Sequence, residues 1–192
     1  MKIYIYLVIF CCSLGCAPGL GKTFNLQPIE VPITSMSHGK LMAQLRPFTD
    51  SRPNKAVIVI AGREIQPEQD VSILAESAFR AMAEKSGINL LSGLGPIISV
   101  NILAWHAKVS PGFPTSNIEA IARLEVRIFD DSQNLAFRST YDGSTQYQHP
   151  LASETNIAWT LNDAMEFALK EIFRDERLSN KITELLGADS HA

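Results

Sequence analysis

The chain has 192 residues, a formal net charge of −3, 46% hydrophobic residues and 19% charged residues. This length and composition describe one globular domain that is large enough to bury a core, and they exclude a disordered chain. The chain is mildly acidic, and its sequence has no cluster of basic residues. This therefore argues against nucleic-acid binding and against electrostatic docking on anionic lipid, because both need a concentrated positive surface.

Residues 1–16 have the pattern of a secretory leader. A lysine at position 2 precedes an apolar run from Ile3 to Cys12, and a glycine stands directly before Cys16. The run has about ten residues, whereas a membrane-spanning helix needs about 20. We therefore predict a signal peptide over residues 1–15 and attachment of acyl chains such as palmitate to Cys16. Simple secretion of a soluble protein and an uncleaved anchor are the alternatives.

All the cysteines of the chain lie in this leader, at positions 11, 12 and 16. After cleavage before Cys16, the mature chain would have no thiol except the lipidated one. This excludes a disulfide, a thiolate nucleophile and a cysteine metal site. It also suits an oxidising compartment, where a free thiol is a liability.

Residues 16–40 are predicted to be the lipidated N-terminus and a tether. The segment has prolines at positions 18, 28 and 32 and glycines at positions 19, 21 and 39, which favour an irregular chain. The alternation of Ile29, Val31 and Ile33 could instead form an extended segment that docks on the domain. We expect a tether that becomes partly ordered near its end, then a single domain over 41–187 and a frayed tail at 188–192.

The periodicity of apolar residues predicts the elements of this domain. In chain order they are strands near 41–45 and 57–60, a helix over 68–86, strands over 97–109, 118–130 and 135–145, a helix over 153–174 and a short helix near 178–186. The last three strands should be antiparallel. The fold class is therefore α+β, a two-layer sandwich with two amphipathic helices on one face of a largely antiparallel sheet.

The alternation within two of these strands predicts which face each residue occupies. In the first, Ile98, Val100 and Ile102 share one face, and Trp105 falls on the opposite face with the odd-numbered residues. In the strand over 118–130, the apolar residues share one face and acidic and basic residues alternate along the other. That second face should meet water or charged partners on neighbouring strands.

The sequence contains no motif typical of catalysis or of a bound cofactor. The four histidines, at positions 38, 106, 149 and 191, have no metal-ligand spacing, and there is no Gly-x-Ser-x-Gly elbow. The glycines at positions 93 and 95 do not match a phosphate-binding loop. We therefore predict no catalytic residue, no metal site and no cofactor.

Two groups of residues are candidates for contact with a partner. Asp50 and Arg52 lie in a short polar loop after the first strand, although a local turn with an internal pair is the alternative. Trp105 and Phe113 lie near strand ends and could form an aromatic patch for a sugar or a protein. They could equally cover the edge of the sheet.

The chain resembles the YajG-like family of uncharacterised bacterial lipoproteins, from the leader to about residue 187. The features that carry the resemblance are a lipobox-type Cys16, a tether with prolines, the segment Phe48-Thr49-Asp50-Ser51-Arg52, and the order of the helices and strands that follow. The resemblance implies an outer-membrane lipoprotein that faces the periplasm. It implies no enzymatic activity and transfers no catalytic residue.

These observations favour a lipid-anchored, non-enzymatic binding or accessory module at the periplasmic face of the outer membrane. The lipid would bind the membrane, and the partner would be an envelope protein complex rather than nucleic acid. Two alternatives stay open, namely a secreted enzyme that acts on cell-wall material and a structural subunit of a secretion or transport assembly.

Overall fold

The computed structural model describes residues 23–26, 28–29, 41–93 and 95–189. The elements, in chain order, are β1 (Thr23–Phe24), β2 (Leu41–Leu45), β3 (Thr49–Asp50), β4 (Ile58–Ile60), β5 (Arg63–Pro67), α1 (Val71–Lys85), β6 (Ile88–Leu90), β7 (Ile97–Ser110), β8 (Ser116–Phe129), β9 (Leu135–His149), α2 (Glu154–Arg174) and α3 (Glu176–Asp189).

The centre of the fold is an antiparallel meander of the three long strands β7, β8 and β9. From residue 118 to residue 128, every second residue of β8 faces the helices and is at most 1% exposed. These residues are Ile118, Ala120, Ala122, Leu124, Val126 and Ile128. The period-two pattern of the sequence predicts this face, because successive side chains of a strand point to opposite sides of the sheet. The predicted α+β fold with a largely antiparallel sheet is confirmed.

The second edge of β7 carries three short strands instead of one long strand. β2, β3 and β4 all run parallel to β7 and pair with successive parts of it, beginning at Ile97, Asn101 and Ala107. β6 extends the sheet beyond β2, while β5 and then β1 extend it beyond β4. The sequence predicts neither these parallel pairings nor the short strands β1, β3, β5 and β6.

Helices α1 and α2 cover the inner face of the sheet and begin at residues with capping side chains. Asp70 accepts a hydrogen bond from the amide of Ser72, and Ser153 accepts one from the amide of Asn156. The two helices meet where the rings of Phe79 and Phe173 lie 4.9 Å apart. Their apolar stripes enter the same core as the strands, as the amphipathic pattern predicts.

Helix α2 comes closest to the sheet at Gly143 of β9. A β-carbon built on this glycine would lie 2.0 Å from the carbonyl oxygen of Ala164 and 2.5 Å from the amide nitrogen of Ala168. Both distances are far below a van der Waals contact, and both atoms belong to the helix backbone. Only a residue without a side chain therefore lets α2 pack at this distance.

The junction of α2 and α3 is joined to the sheet through Asp175. The hydroxyl of Tyr141 donates a hydrogen bond of 2.8 Å to this carboxylate, and Nη2 of Arg177 donates one of 2.7 Å. The hydrogen bonds from Arg177 and Tyr141 outweigh the effect of burial and lower the pKa of Asp175 to about 2. Burial and the neighbouring Asp175 raise the pKa of Tyr141. The pair is therefore a neutral phenol bound to a carboxylate throughout the physiological range.

We expect Tyr141→Phe to lower the free energy of unfolding by about 1.5–3 kcal/mol, since a hydrogen bond to a charged group is lost. A carboxyl group with a lowered folded-state pKa stabilises the fold above its unfolded pKa, and this contribution disappears as the pH falls through the folded value. The difference between wild type and variant should thus be full above pH 4 and shrink towards pH 2. Urea unfolding across this pH range measures it.

Tyr147→Phe is the matched control, because its hydroxyl also bonds a carboxylate, that of Asp163, but its side chain is 41% exposed. Its loss should stay below about 1 kcal/mol, as for exposed polar contacts. Equal losses for the two variants would contradict the buried link at Tyr141.

Several predicted boundaries differ from the structure, most of all those of two helices. Helix α1 begins at Val71 rather than near residue 68, because Arg63–Pro67 forms β5 and Asp70 caps the helix. The last helix is longer than 178–186 and includes residues 188–189 of the predicted frayed tail. The leader, Cys16 and residues 190–192 lie outside the described residues.

The tether predicted over 16–40 is wrong for residues 23–26. Thr23 and Phe24 pair with Gln66 and Pro67 of β5, and the side chains of Phe24 and Leu26 are each 2% exposed. Two large apolar side chains in this segment outweigh the prolines and glycines around it, because their burial favours docking by about 1.5–3 kcal/mol each. The chain thus joins the domain's core well before residue 41.

Candidate functional site

The predicted contact loop is built around an ion pair that points into the protein. Nε and Nη2 of Arg52 donate to the two carboxylate oxygens of Asp50 at 2.9 and 3.0 Å. Nη1 donates to the carbonyl oxygens of Trp105 and Ala56 at 3.0 and 3.4 Å. The guanidinium is 2% exposed, so its donors are used inside the fold.

The position of Arg52 follows from the interrupted edge of β7. Backbone pairing with β3 ends at Ile102, and pairing with β4 resumes at Ala107. The carbonyl of Trp105 lies in this gap, where none of the described strands pairs with it. Because an unpaired buried carbonyl is costly, the guanidinium of Arg52 supplies the missing donor. We call Asp50, Arg52 and the Trp105 carbonyl the Arg52 brace.

The charges of the Arg52 brace affect the titration of its neighbours. Burial opposes ionisation of Asp50, but hydrogen bonds from the side chain and backbone of Arg52 outweigh it and lower the pKa. Burial and the positive charge of Arg52 both lower the pKa of His106. His106 is therefore neutral at neutral pH, and Asp50 is ionised.

For the predicted contact residues, this geometry favours the alternative of an internal turn. Arg52 cannot reach a partner without leaving four internal acceptors. Asp50 remains 21% exposed and also contacts Nζ of Lys55 at 3.3 Å. The two predicted residues do come together. In the structure, they lie at the gap between β3 and β4, where Arg52 donates to the carbonyl of Trp105 in β7.

The predicted aromatic patch is wrong, because Trp105 is fully buried and Phe113 is 99% exposed. The reason is a β-bulge in β7 between Ile102 and Ala104. The extra residue reverses the inward and outward alternation, so that Trp105, and not Ala104, faces the helices. Its indole nitrogen donates a hydrogen bond of 3.0 Å to the carbonyl of Leu161 in α2. The structure does not bring Trp105 and Phe113 together as an exposed surface.

A second ion cluster lies on the outer face of the sheet, which the sequence predicts to be polar. Glu125 is only 3% exposed although it faces away from the helices. Arg127 and Arg138 form ion pairs with it, and Asn101 donates a hydrogen bond of 3.1 Å. Burial opposes its ionisation, but these donors outweigh burial and lower the pKa. The alternation of charges along β8 predicts such partners on neighbouring strands.

Sequence patterns do not reveal a third feature, the pocket of about 280 Å³ between β9 and the end of α2. Its lining includes Thr140 and Tyr141 from the strand and Glu171, Arg174 and Arg177 from the helical side. The pocket is shallow and charged. Residues so far apart in the sequence give no signal until the strand and helix are packed together.

Neither a metal centre nor a membrane span is found in the described part of the chain. Residues 23–26, 28–29, 41–93 and 95–189 contain no cluster of three or more His, Cys, Asp or Glu side chains that could hold a metal ion. Within the same ranges, each helix is too short or too polar to cross a bilayer.

Comparisons with solved structures find similar proteins. A crystal structure of a protein from Xanthomonas campestris matches with a TM-score of 0.51 and 10% identity, over 88% of this chain and 99% of that one. A minor lipoprotein from Acinetobacter baumannii matches with a TM-score of 0.48 and 11% identity, over 74% of this chain and 96% of that one. A search of curated proteins finds no match.

A family model described as "Uncharacterized lipoprotein" matches residues 47–183. This range begins just before the Asp50 and Arg52 pair and ends within α3, so it includes the meander, both large helices and the Arg52 brace. The match extends over more than two thirds of the chain and confirms the resemblance to YajG-like lipoproteins. The chain belongs to this family of uncharacterised lipoproteins.

Proposed function

We propose that this protein is anchored by acyl chains on Cys16 at the periplasmic face of the outer membrane and acts there as a non-enzymatic binding or accessory module. The observation that carries the proposal is membership of a lipoprotein family in a chain whose leader ends in Gly15 and Cys16. The apolar run of the leader is too short to span the bilayer. The covalent lipid on Cys16 would therefore hold the protein at the membrane.

The docking of β1 supports a location close to the bilayer. Thr23 is seven residues after Cys16, so even a fully extended chain would place the two α-carbons at most about 25 Å apart. Thr23 pairs with β5 at the edge of the sheet. An anchored domain would therefore present the edge formed by β1 and β5 towards the membrane. β9 is the strand at the opposite edge, since the strands follow one another in the order β1, β5, β4, β7, β8 and β9.

The non-enzymatic part of the proposal is supported by the roles of the candidate polar residues. Arg52 and Asp50 are bound to each other and to backbone groups, and Glu125 is surrounded by its arginine partners. Because these polar side chains are bound within the fold, a structural role is favoured for them over a catalytic one. Release of soluble fragments from purified cell-wall material by the wild-type protein would contradict this part.

We expect Cys16→Ala to abolish acylation and to move the protein out of the membrane fraction. The full chain is expressed in a two-membrane bacterium with a palmitate analogue that can be tagged, and the envelope is separated on a density gradient. The wild type should be labelled, should sediment with the outer membrane and should have a mature N-terminus at Cys16 by mass spectrometry.

Cys12→Ala is the matched control, because it removes a thiol from the same leader and should leave labelling unchanged. A label that persists in Cys16→Ala, or a wild-type N-terminus elsewhere and without lipid, would overturn the anchor. Cross-linking of intact envelopes with the wild-type protein then identifies the partner complex.

A further inference from the structure

The outer side of β9 is an open sheet edge. β9 pairs with β8 along its length and has no strand on its other side among the described residues. It spans 15 residues, and its sequence contains neither proline nor lysine, which commonly protect such edges. Every second residue therefore directs an unpaired amide and carbonyl outwards, where another strand could bind.

The charges on this strand have a two-fold pattern. Arg138 and Asp142 lie on the same face, two positions before and two positions after Thr140, and each side chain is 59% exposed. In an antiparallel pair of two β9 strands centred on Thr140, Arg138 of each copy lies opposite Asp142 of the other. Their present partners, Glu125 and Arg123, would remain beside them in a larger network.

The charges of α2 independently point to the same axis. Gly143 faces α2 between Ala164 and Ala168, and the helix runs antiparallel to the strand. Three residues along the strand are about 10 Å, which equals six or seven residues of helix. Thr140 is therefore level with a point midway between Glu171 and Arg174, as their shared pocket also indicates.

A two-fold axis at Thr140 would consequently place Glu171 of each copy beside Arg174 of the other. Both side chains are more than half exposed, at 57% and 60%. Two pairs of opposite charges on different elements thus fit one axis, and neither pair brings like charges together. Such self-complementarity is the property that an isologous interface requires.

We propose that β9 pairs antiparallel with β9 of a second copy of this chain, around a two-fold axis that passes through Thr140. The pairing extends the sheet from one copy to the other and satisfies the open backbone groups of both edges. This inference goes beyond the lipid anchor and does not depend on it.

The test is disulfide cross-linking of the full chain with a mild oxidant. It is done in whichever cell fraction, membrane or soluble, contains the protein. Thr140→Cys places two thiols on the axis, where opposed residues have α-carbons about 4.5–5.5 Å apart, within the range of a disulfide. We expect most of this variant to form a covalent dimer. The unsubstituted chain controls for the cysteines of the leader.

Ser144→Cys is the matched control on the same face of the same strand. Its two copies would be eight residues out of register, about 26 Å apart, and should not cross-link. A dimer of Ser144→Cys alone would overturn the axis at Thr140. No dimer from either variant, or a conjugate with another protein, would overturn the second copy as the occupant.

A charge exchange provides the second measurement. In the Thr140→Cys background, Arg174→Glu should reduce the cross-linked fraction several-fold, because Glu171 would face a carboxylate of the second copy. Adding Glu171→Arg should restore it by exchanging the two charges. Both side chains are exposed, so neither change should unfold the monomer. Equal cross-linking in all three proteins would contradict the proposed axis.

Discussion

A Gly143→Ala variant should lose at least about 3 kcal/mol of unfolding free energy, which is at the upper end for overpacking of a core. The added methyl group would lie 2.0 Å from the carbonyl oxygen of Ala164 and 2.5 Å from the amide of Ala168. Backbone atoms of a packed helix cannot turn away as a flexible side chain can. α2 would have to move by roughly 1 Å or more to reach an ordinary contact distance.

Such a shift would disturb the whole interface between α2 and the meander. Leu161, Ala164 and Ala168 are fully buried, and the interior is packed too closely to absorb the movement. Chemical denaturation followed by circular dichroism measures the loss. If the denaturant concentration at the midpoint falls while the dependence of unfolding free energy on denaturant stays the same, the loss is a change of stability. A wild-type midpoint would contradict the close approach of α2 to β9.

Gly187→Ala is the matched control for this substitution. Gly187 lies within α3, and apart from its chain neighbours and the helix's own backbone no described atom lies within 4 Å of a β-carbon placed there. Alanine favours a helix over glycine by about 1 kcal/mol, so this variant should be as stable as the wild type or slightly more stable. The same chemical change should thus have opposite signs at the two sites.

An Arg52→Met variant should lose about 3–5 kcal/mol, the cost of removing one partner from a buried ion pair. The change would leave the Asp50 carboxylate without its two charged donors and the Trp105 carbonyl without a partner. Arg52→Lys should lose less, because an ammonium keeps the charge but cannot bind the carboxylate with two parallel hydrogen bonds. Urea unfolding of the purified variants measures both.

The loss at Arg52 should also depend on pH. Because the pKa of Asp50 is lowered in the fold, its contribution is present above the unfolded value of 3.8 and is lost as the pH falls through the folded value. The difference between wild type and Arg52→Met should therefore be constant near neutral pH and decrease in acid. A loss that does not change with pH would indicate that only packing was disturbed.

Arg63→Met controls for the removal of an arginine, since Arg63 is exposed on β5 and its loss should stay within about 0.5 kcal/mol. The double variant Asp50→Asn with Arg52→Met should cost less than the sum of the two single changes, because the residues contact each other. Additive losses would mean that the Arg52 brace is not a coupled unit.

The elements that could be predicted from the sequence are those with many residues in one pattern. In β8, six inward-facing apolar residues alternate with outward-facing residues. In α2, the capping residue Ser153 is followed by a stripe of apolar residues about four helical turns long. β1, β3, β5 and β6 have two to five residues each, and they lack the apolar alternation of β2 and the β-branched run of β4 that make those equally short strands recognisable. Their positions depend on partners that are distant in the sequence.

The candidate site shows the same limit. The pattern Asp50-Ser51-Arg52 marks a polar turn, but the acceptor that draws Arg52 inwards is a backbone carbonyl of Trp105, which no side-chain pattern encodes. The alternation places Trp105 on the wrong face, because one extra residue in β7 changes its phase. Gly143 gives no signal at all, since its importance lies in the helix above it.

The divided edge of β7 also constrains the order in which a nascent chain can fold. Gln44 needs Ile97, and Ile58 needs Ala107, so each of these early segments waits for a partner that is synthesised about 50 residues later. The C-terminal meander can form hairpins from adjacent segments at a much lower entropic cost. β2 and β4 should therefore lack this partner until β7 has been synthesised, although β4 can already pair with the adjacent β5 as a local hairpin.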